Sequence, residues 1–96
     1  MELAYTKLNE EQVQKALSDL PGWTIQNDKL TRTYTFETYK EGIDFAVSVG
    51  NAADVLNHHP DIHIGYCRVK VAVNTHDVNG ISPYDFELAR RVDAIA

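Results

Sequence analysis

Ninety-six residues, 44% apolar and 24% charged, describe one ordinary globular domain over residues 1–96, able to bury roughly 65% of its extended surface around a single core. Nine basic against fourteen acidic residues give a formal net charge of -5, and only Arg90-Arg91 places two basic residues side by side. That balance excludes a stripe for a phosphate backbone, so no direct nucleic-acid partner is expected. The single cysteine, Cys67, excludes an internal disulfide framework and fits a reducing compartment. The start Met1-Glu2-Leu3-Ala4-Tyr5-Thr6-Lys7 lacks the pattern of a signal peptide, and no apolar run approaches the ~20 residues that cross a bilayer. The expectation is a cytoplasmic chain with no membrane partner.

In chain order, Asn9 followed by Gln12 reads as a capping box, with Leu8 and Val13 as a hydrophobic staple. Val13, Ala16, Leu17 and Leu20 then predict a helix over 9–20, stopped by Pro21-Gly22. From Trp23 the period falls to two. Trp23 and Ile25 share a face, Asn27-Asp28 supplies a turn, and Leu30, Tyr34 and Phe36 share a face on the return strand. Thr38 with Glu41 starts a second helix over 38–58, whose predicted core stripe is Tyr39, Ile43, Ala46, Val47, Gly50 and Ala53. A second hairpin follows, with Ile62, Ile64 and Tyr66 alternating, a turn at Cys67-Arg68, and Val69, Val71 and Val73 on the return. Ser82, Pro83 and Asp85 open a third helix over 82–95, buried through Phe86, Ala89, Val92 and Ile95. The simplest packing of these elements is α+β: a four-stranded antiparallel sheet with three helices on one face, in the order α-β-β-α-β-β-α.

All four histidines lie between Asp54 and Asp85. Asp54 and His58 are four residues apart on a predicted helix face, where the carboxylate can accept an imidazole N–H and fix its tautomer. Pro60 biases His59 out of helical geometry and sends it in another direction. His76 arrives from a strand end, so three imidazoles can converge on one cleft and move protons without a cofactor. Two other readings stand beside acid-base chemistry. Imidazole and carboxylate are good zinc or iron ligands, although adjacent His58 and His59 do not easily reach one ion and no paired cysteines or His-Glu-x-x-His helix is present. A single histidine near a helix end is more often a cap or a solvated residue, Asp85 is already explained by its capping box, and His63 has solvent-facing strand parity.

The pattern Asp54, His58-His59-Pro60, Tyr66, His76, Asp85 resembles the pterin-4a-carbinolamine dehydratase family, with Leu20-Pro21-Gly22-Trp23, Leu30 to Phe36 and Asp85-Phe86-Glu87-Leu88-Ala89 extending the likeness over almost the whole chain. The resemblance implies the same sheet and three helices. It implies a hydro-lyase that removes water from a 4a-hydroxytetrahydropterin to give the quinonoid dihydropterin, in tetrahydrobiopterin recycling, with no cofactor and no metal. His58 and His76 fall on the family's proton-transfer pair and His59 on a binding and transition-state residue, while Asp54, Pro60, Tyr66, Thr75 and Asp85 are expected to support them or the substrate. Asp54 stands where many members carry glutamate, and Ile62 where animal members carry tryptophan. Family members are dimers or tetramers, so a homodimer or homotetramer is implied. The alternative function is a homo-oligomeric protein-binding module or dimerisation cofactor without catalysis.

Overall fold

A computed structural model describes residues 2–96 and gives the order α1 (Glu10–Leu17), β1 (Thr24–Gln26), β2 (Lys29–Thr35), α2 (Tyr39–Leu56), β3 (Asp61–Gly65), β4 (Arg68–Val73), a 3-10 turn (His76–Val78) and α3 (Pro83–Ile95). The four strands form one antiparallel sheet in the order β1-β2-β4-β3, so each hairpin pairs internally and β2 joins them by pairing with β4. Both hairpins turn through left-handed residues, Asn27 and Asp28 in one and Cys67 in the other. The expected α+β class and element order are those observed.

Each helix starts where its capping residues place it. Asn9 Oδ1 accepts from the Gln12 amide at 2.8 Å while Gln12 Oε1 accepts from the Asn9 amide at 2.9 Å. Thr38 Oγ1 accepts from the Glu41 amide at 3.1 Å. The first helix ends earlier than its stripe suggests, at Leu17, and Leu20 reaches the core from the turn that follows. Helix-facing strand residues Leu30, Val69, Val71 and Val73 are almost fully buried against Val49, Ala53, Phe86, Leu88, Ala89 and Val92. Alternation of side chains leaves Thr33, Thr35, His63 and Arg68 exposed on the other face.

Helix α2 carries two apolar faces, and the predicted stripe mixed them. Gly42, Phe45, Ala46, Val49 and Ala53 are buried, whereas Tyr39 and Val47 are 52% and 61% exposed and a Cβ at Gly50 would meet nothing within 4 Å. With so many apolar residues, period alone does not choose the inward face. Ile95, predicted to be buried, is 39% exposed, whereas Leu88, outside the predicted stripe, is fully buried.

One polar cluster fastens the C-terminal helix to the sheet. Asp93 accepts from Trp23 Nε1 at 3.0 and 3.1 Å, from Arg32 Nη1 at 3.1 Å and from the Tyr34 hydroxyl, and the Arg32 guanidinium also lies 4.7 Å from the Tyr34 ring centre. Burial, first, and then the hydrogen bond and charge of Asp93 hold the Tyr34 phenol well above its ordinary pKa. Such a shift stabilises the fold at all pH values below the ordinary tyrosine range of about 10, and that stabilisation is lost as pH rises beyond it. Among the described residues no helix is long and apolar enough to cross a membrane.

Removing the Asp93 carboxylate leaves three donors without their shared acceptor. Asp93→Ala should therefore lower unfolding free energy by about 2–4 kcal/mol in urea denaturation. In the same assay run as a pH series, Tyr34→Phe should lose less stability than the unmodified protein between neutral pH and pH values above about 10.

Candidate active site

Helix α2 stops at Leu56 because Asn57 adopts a left-handed conformation, φ 53° and ψ 44°, from which its amide still bonds the Asp54 carbonyl. The His58 amide returns to the Ala53 carbonyl at 3.1 Å. This reversal takes His58 off the helix face and turns it inward, where it is 8% exposed, while His59 turns outward.

The expected Asp54–His58 pair is consequently replaced by two others. His59 Nε2 lies 2.8 Å from Asp54 Oδ1 at the surface, and His58 Nε2 lies 2.6 Å from Oδ1 of fully buried Asp85. The helical i, i+4 relation fails because a left-handed residue intervenes before position 58.

Asp85 serves two elements at once. Its Oδ2 accepts the Ser82 amide at 2.8 Å, which caps α3, and the Thr75 hydroxyl at 2.8 Å; its Oδ1 faces His58. Thr75 Oγ1 in turn lies 2.6 Å from Ser82 Oγ, so with its own proton on Asp85 it accepts the serine's. An ionised carboxylate only accepts, so pairing with ionised Asp85 requires the His58 proton on Nε2. Among the described residues no buried side-chain nitrogen or oxygen lacks a partner, and Nδ1 of His58 has none; it therefore reaches solvent.

His58 lines a cavity of about 380 Å³ together with Tyr5, Asn57, His59, Asn74, Thr75, His76 and Asp77. The structure thus brings His58, His59, His76 and Thr75 together. His76 begins the 3-10 turn just beyond β4, and the Thr75 amide is pinned to the Gly80 carbonyl at 2.8 Å. The four remaining predicted supporters all stand outside the lining, Asp85 acting on it through His58. Asp54 touches it only through His59, Pro60 starts the run into β3, and Tyr66 is 77% exposed at the far hairpin turn, stacked 6.3 Å from Tyr39. Tyr66 departs because β3 ends at Gly65, so strand alternation does not extend to it. His63 is exposed on the outer sheet face, away from the cavity.

Sequence reasoning missed Tyr5, Asn57, Asn74 and Asp77. The asparagine at a helix end is a readable left-handed cap; the others carry no periodic signal. No group of three His, Cys, Asp or Glu side chains among the described residues is arranged to hold a metal ion.

A capped α+β sandwich with a histidine cavity at the junction of α2, β4 and α3 defines the class, and comparison with known proteins gives its family. Residues 6–95 match the family described as Pterin 4 alpha carbinolamine dehydratase. A protein of Halobacterium salinarum provisionally named as that dehydratase is 42% identical over 87 residues, covering 91% of this chain and 93% of its own. One from Sulfolobus acidocaldarius, provisionally named likewise, is 35% identical over 89 residues, covering 93% and 98%. The crystal structure of a transcriptional coactivator/pterin dehydratase from Brucella melitensis superposes with a TM-score of 0.89 at 32% identity, covering 95% of this chain and 99% of that one. A pterin dehydratase-like protein described as a RuBisCO assembly factor of the alpha-carboxysome shares the fold at 21% identity, with a TM-score of 0.68 over 80% of this chain and 92% of its own. The chain belongs to the pterin-4a-carbinolamine dehydratase family.

The two acid–histidine pairs should respond differently to mutation. Asp85→Ala strands the Ser82 amide and the Thr75 hydroxyl and should cost about 2–4 kcal/mol of unfolding free energy. Asp54→Ala removes a surface partner and should stay within about 0.5 kcal/mol of the unmodified protein. Parallel denaturant titrations of the two variants read both values.

Proposed function

We propose that this chain removes water from a 4a-hydroxytetrahydropterin to give the quinonoid dihydropterin, as a hydro-lyase in pterin recycling. The observation that carries the reading is His58, anchored through Nε2 on buried Asp85 and lining one cavity with His59 and His76.

The reaction breaks the bond from C4a to its hydroxyl and removes one proton from the pterin ring nitrogens, forming a C=N bond. A proton delivered to the departing oxygen leaves as part of the water, and the ring proton passes to a base. No electrons enter or leave, so the step balances with two imidazoles as donor and acceptor. His58 and His76 fill these roles, each positioned transfer being worth roughly 10²–10⁴-fold. His59, held by Asp54 at the cavity rim, contacts the substrate and stabilises charge developing on it. Thr75 and Asp85 keep His58 oriented, and Pro60 limits the backbone that presents His59.

Self-association belongs to this reading. Tyr39 and Val47 on the uncovered face of α2, Tyr66 at the hairpin turn and the open edge of β3 are features that a second copy would cover. Light scattering at micromolar concentration should give two or four times the 10.8 kDa chain mass, and a clean monomer would contradict it.

The catalytic assignment is tested by following quinonoid dihydropterin formation above the spontaneous rate. His58→Ala and His76→Ala should each reduce kcat about 10²-fold or more with secondary structure intact, and His59→Ala should raise KM as well as slow the chemical step. His63→Ala should remain within about two-fold of the unmodified protein, as expected of a surface substitution. No rate above background from the unmodified protein would replace the enzyme with the non-catalytic binding module.

A further inference from the structure

The N-terminal segment ahead of α1 contributes the one ring in the cavity wall that is not an imidazole. The Leu8 amide bonds the Ile81 carbonyl at 2.8 Å, which ties this segment beside the start of α3. Tyr5 then stacks on Tyr84 of the first turn of α3, ring centres 4.1 Å apart and planes 13° from parallel. Both rings border His58, at 6.0 Å for Tyr5 and 5.7 Å for Tyr84. Tyr84 does not line the cavity, whereas Tyr5 does and is 47% exposed. Tyr84 thus backs a ring that still offers surface to the cavity.

The rest of the wall is histidine, asparagine, threonine and aspartate. Such a lining binds the edges of a polar heterocycle through hydrogen bonds but offers little to its flat faces. A conjugated bicyclic ring gains most from a parallel or offset aromatic surface, because dispersion and the ring quadrupoles both favour that contact. Ile62 supplies no such surface here; it packs partly buried against the core.

Taking the proposed function as its basis, we infer that Tyr5 is a substrate-binding residue: its ring, braced by Tyr84, stacks on the flat heterocycle and fixes it beside Nδ1 of His58. The site is therefore completed by a segment outside the sheet and helices, and Tyr84 is a positioning residue acting through Tyr5. The phenol hydroxyl is not required by this role, because the stacking face belongs to the ring.

The test compares the unmodified protein with Tyr5→Ala, Tyr5→Phe and Tyr84→Ala. Binding of biopterin, a stable oxidised pterin, is measured by fluorescence titration, together with KM and kcat for the carbinolamine. Tyr5→Ala should weaken biopterin binding about ten-fold and raise KM similarly, with kcat much less affected. Tyr5→Phe should restore both to within about two-fold of the unmodified protein, an outcome that a hydrogen-bonding role for the hydroxyl would not give. Tyr84→Ala should weaken binding too, and adding it to Tyr5→Ala should produce little further loss. Thermal unfolding of each variant checks that the fold persists. Unchanged binding and KM in Tyr5→Ala, beside an active unmodified protein, overturn this inference and leave the proposed function standing. An unmodified protein that neither binds biopterin nor exceeds the spontaneous rate overturns both.

Discussion

The site depends on a buried carboxylate held by three donors from three parts of the chain. Asp85 accepts from the Ser82 amide at the start of α3, from the Thr75 hydroxyl after β4 and from His58 after α2. A fully buried charge is costly unless its oxygens are saturated with hydrogen bonds, and here the donors that stabilise the charge are also the groups whose relative positions define the cavity. Capping of a helix and orientation of an imidazole thus become one constraint. Displacing Thr75 would leave Asp85 short of a donor and shift His76, which follows it directly in the chain.

The second constraint is the left-handed Asn57. Without it α2 would carry His58 toward the Asp54 face, and the inward imidazole would be lost. The chain instead spends one residue on reversal and sends two consecutive histidines into different environments. His58 is nearly excluded from water and tied to a buried acid; His59 is solvated and tied to an exposed one. One residue type in adjacent positions thereby gains two distinct settings.

Much of this was readable in the sequence because the signals are local. The caps at Asn9, Thr38 and Ser82 mark helix starts, Asn27-Asp28 marks a hairpin turn, and alternating valines mark β4. The convergence of His58, His59 and His76 followed from their placement at element ends. What escaped reading depends on partners far apart in the chain. Helical spacing suggested Asp54 for His58, yet the partner lies 27 residues away at Asp85, and the reversal that makes this possible occupies a single residue. The inward face of α2 was obscured because Ile43 and Val47 are as apolar as Phe45 and Val49, with the ring of Tyr39 on the same side as Ile43 and Val47. Tyr5 precedes any periodic segment, and the Asp93 cluster joins Trp23, Arg32 and Tyr34 across 59 to 70 residues.

The most direct measurement is the tautomer of His58, read from the imidazole ¹⁵N shifts and two-bond couplings of the isotope-labelled protein at a pH where the ring is neutral. Anchoring on the Asp85 carboxylate requires the proton on Nε2, with Nδ1 unprotonated. A single Nε2–H tautomer in the unmodified protein, and its loss in Asp85→Ala, is the predicted result. A His58 ring protonated on Nδ1, or one exchanging freely between tautomers, would contradict the account.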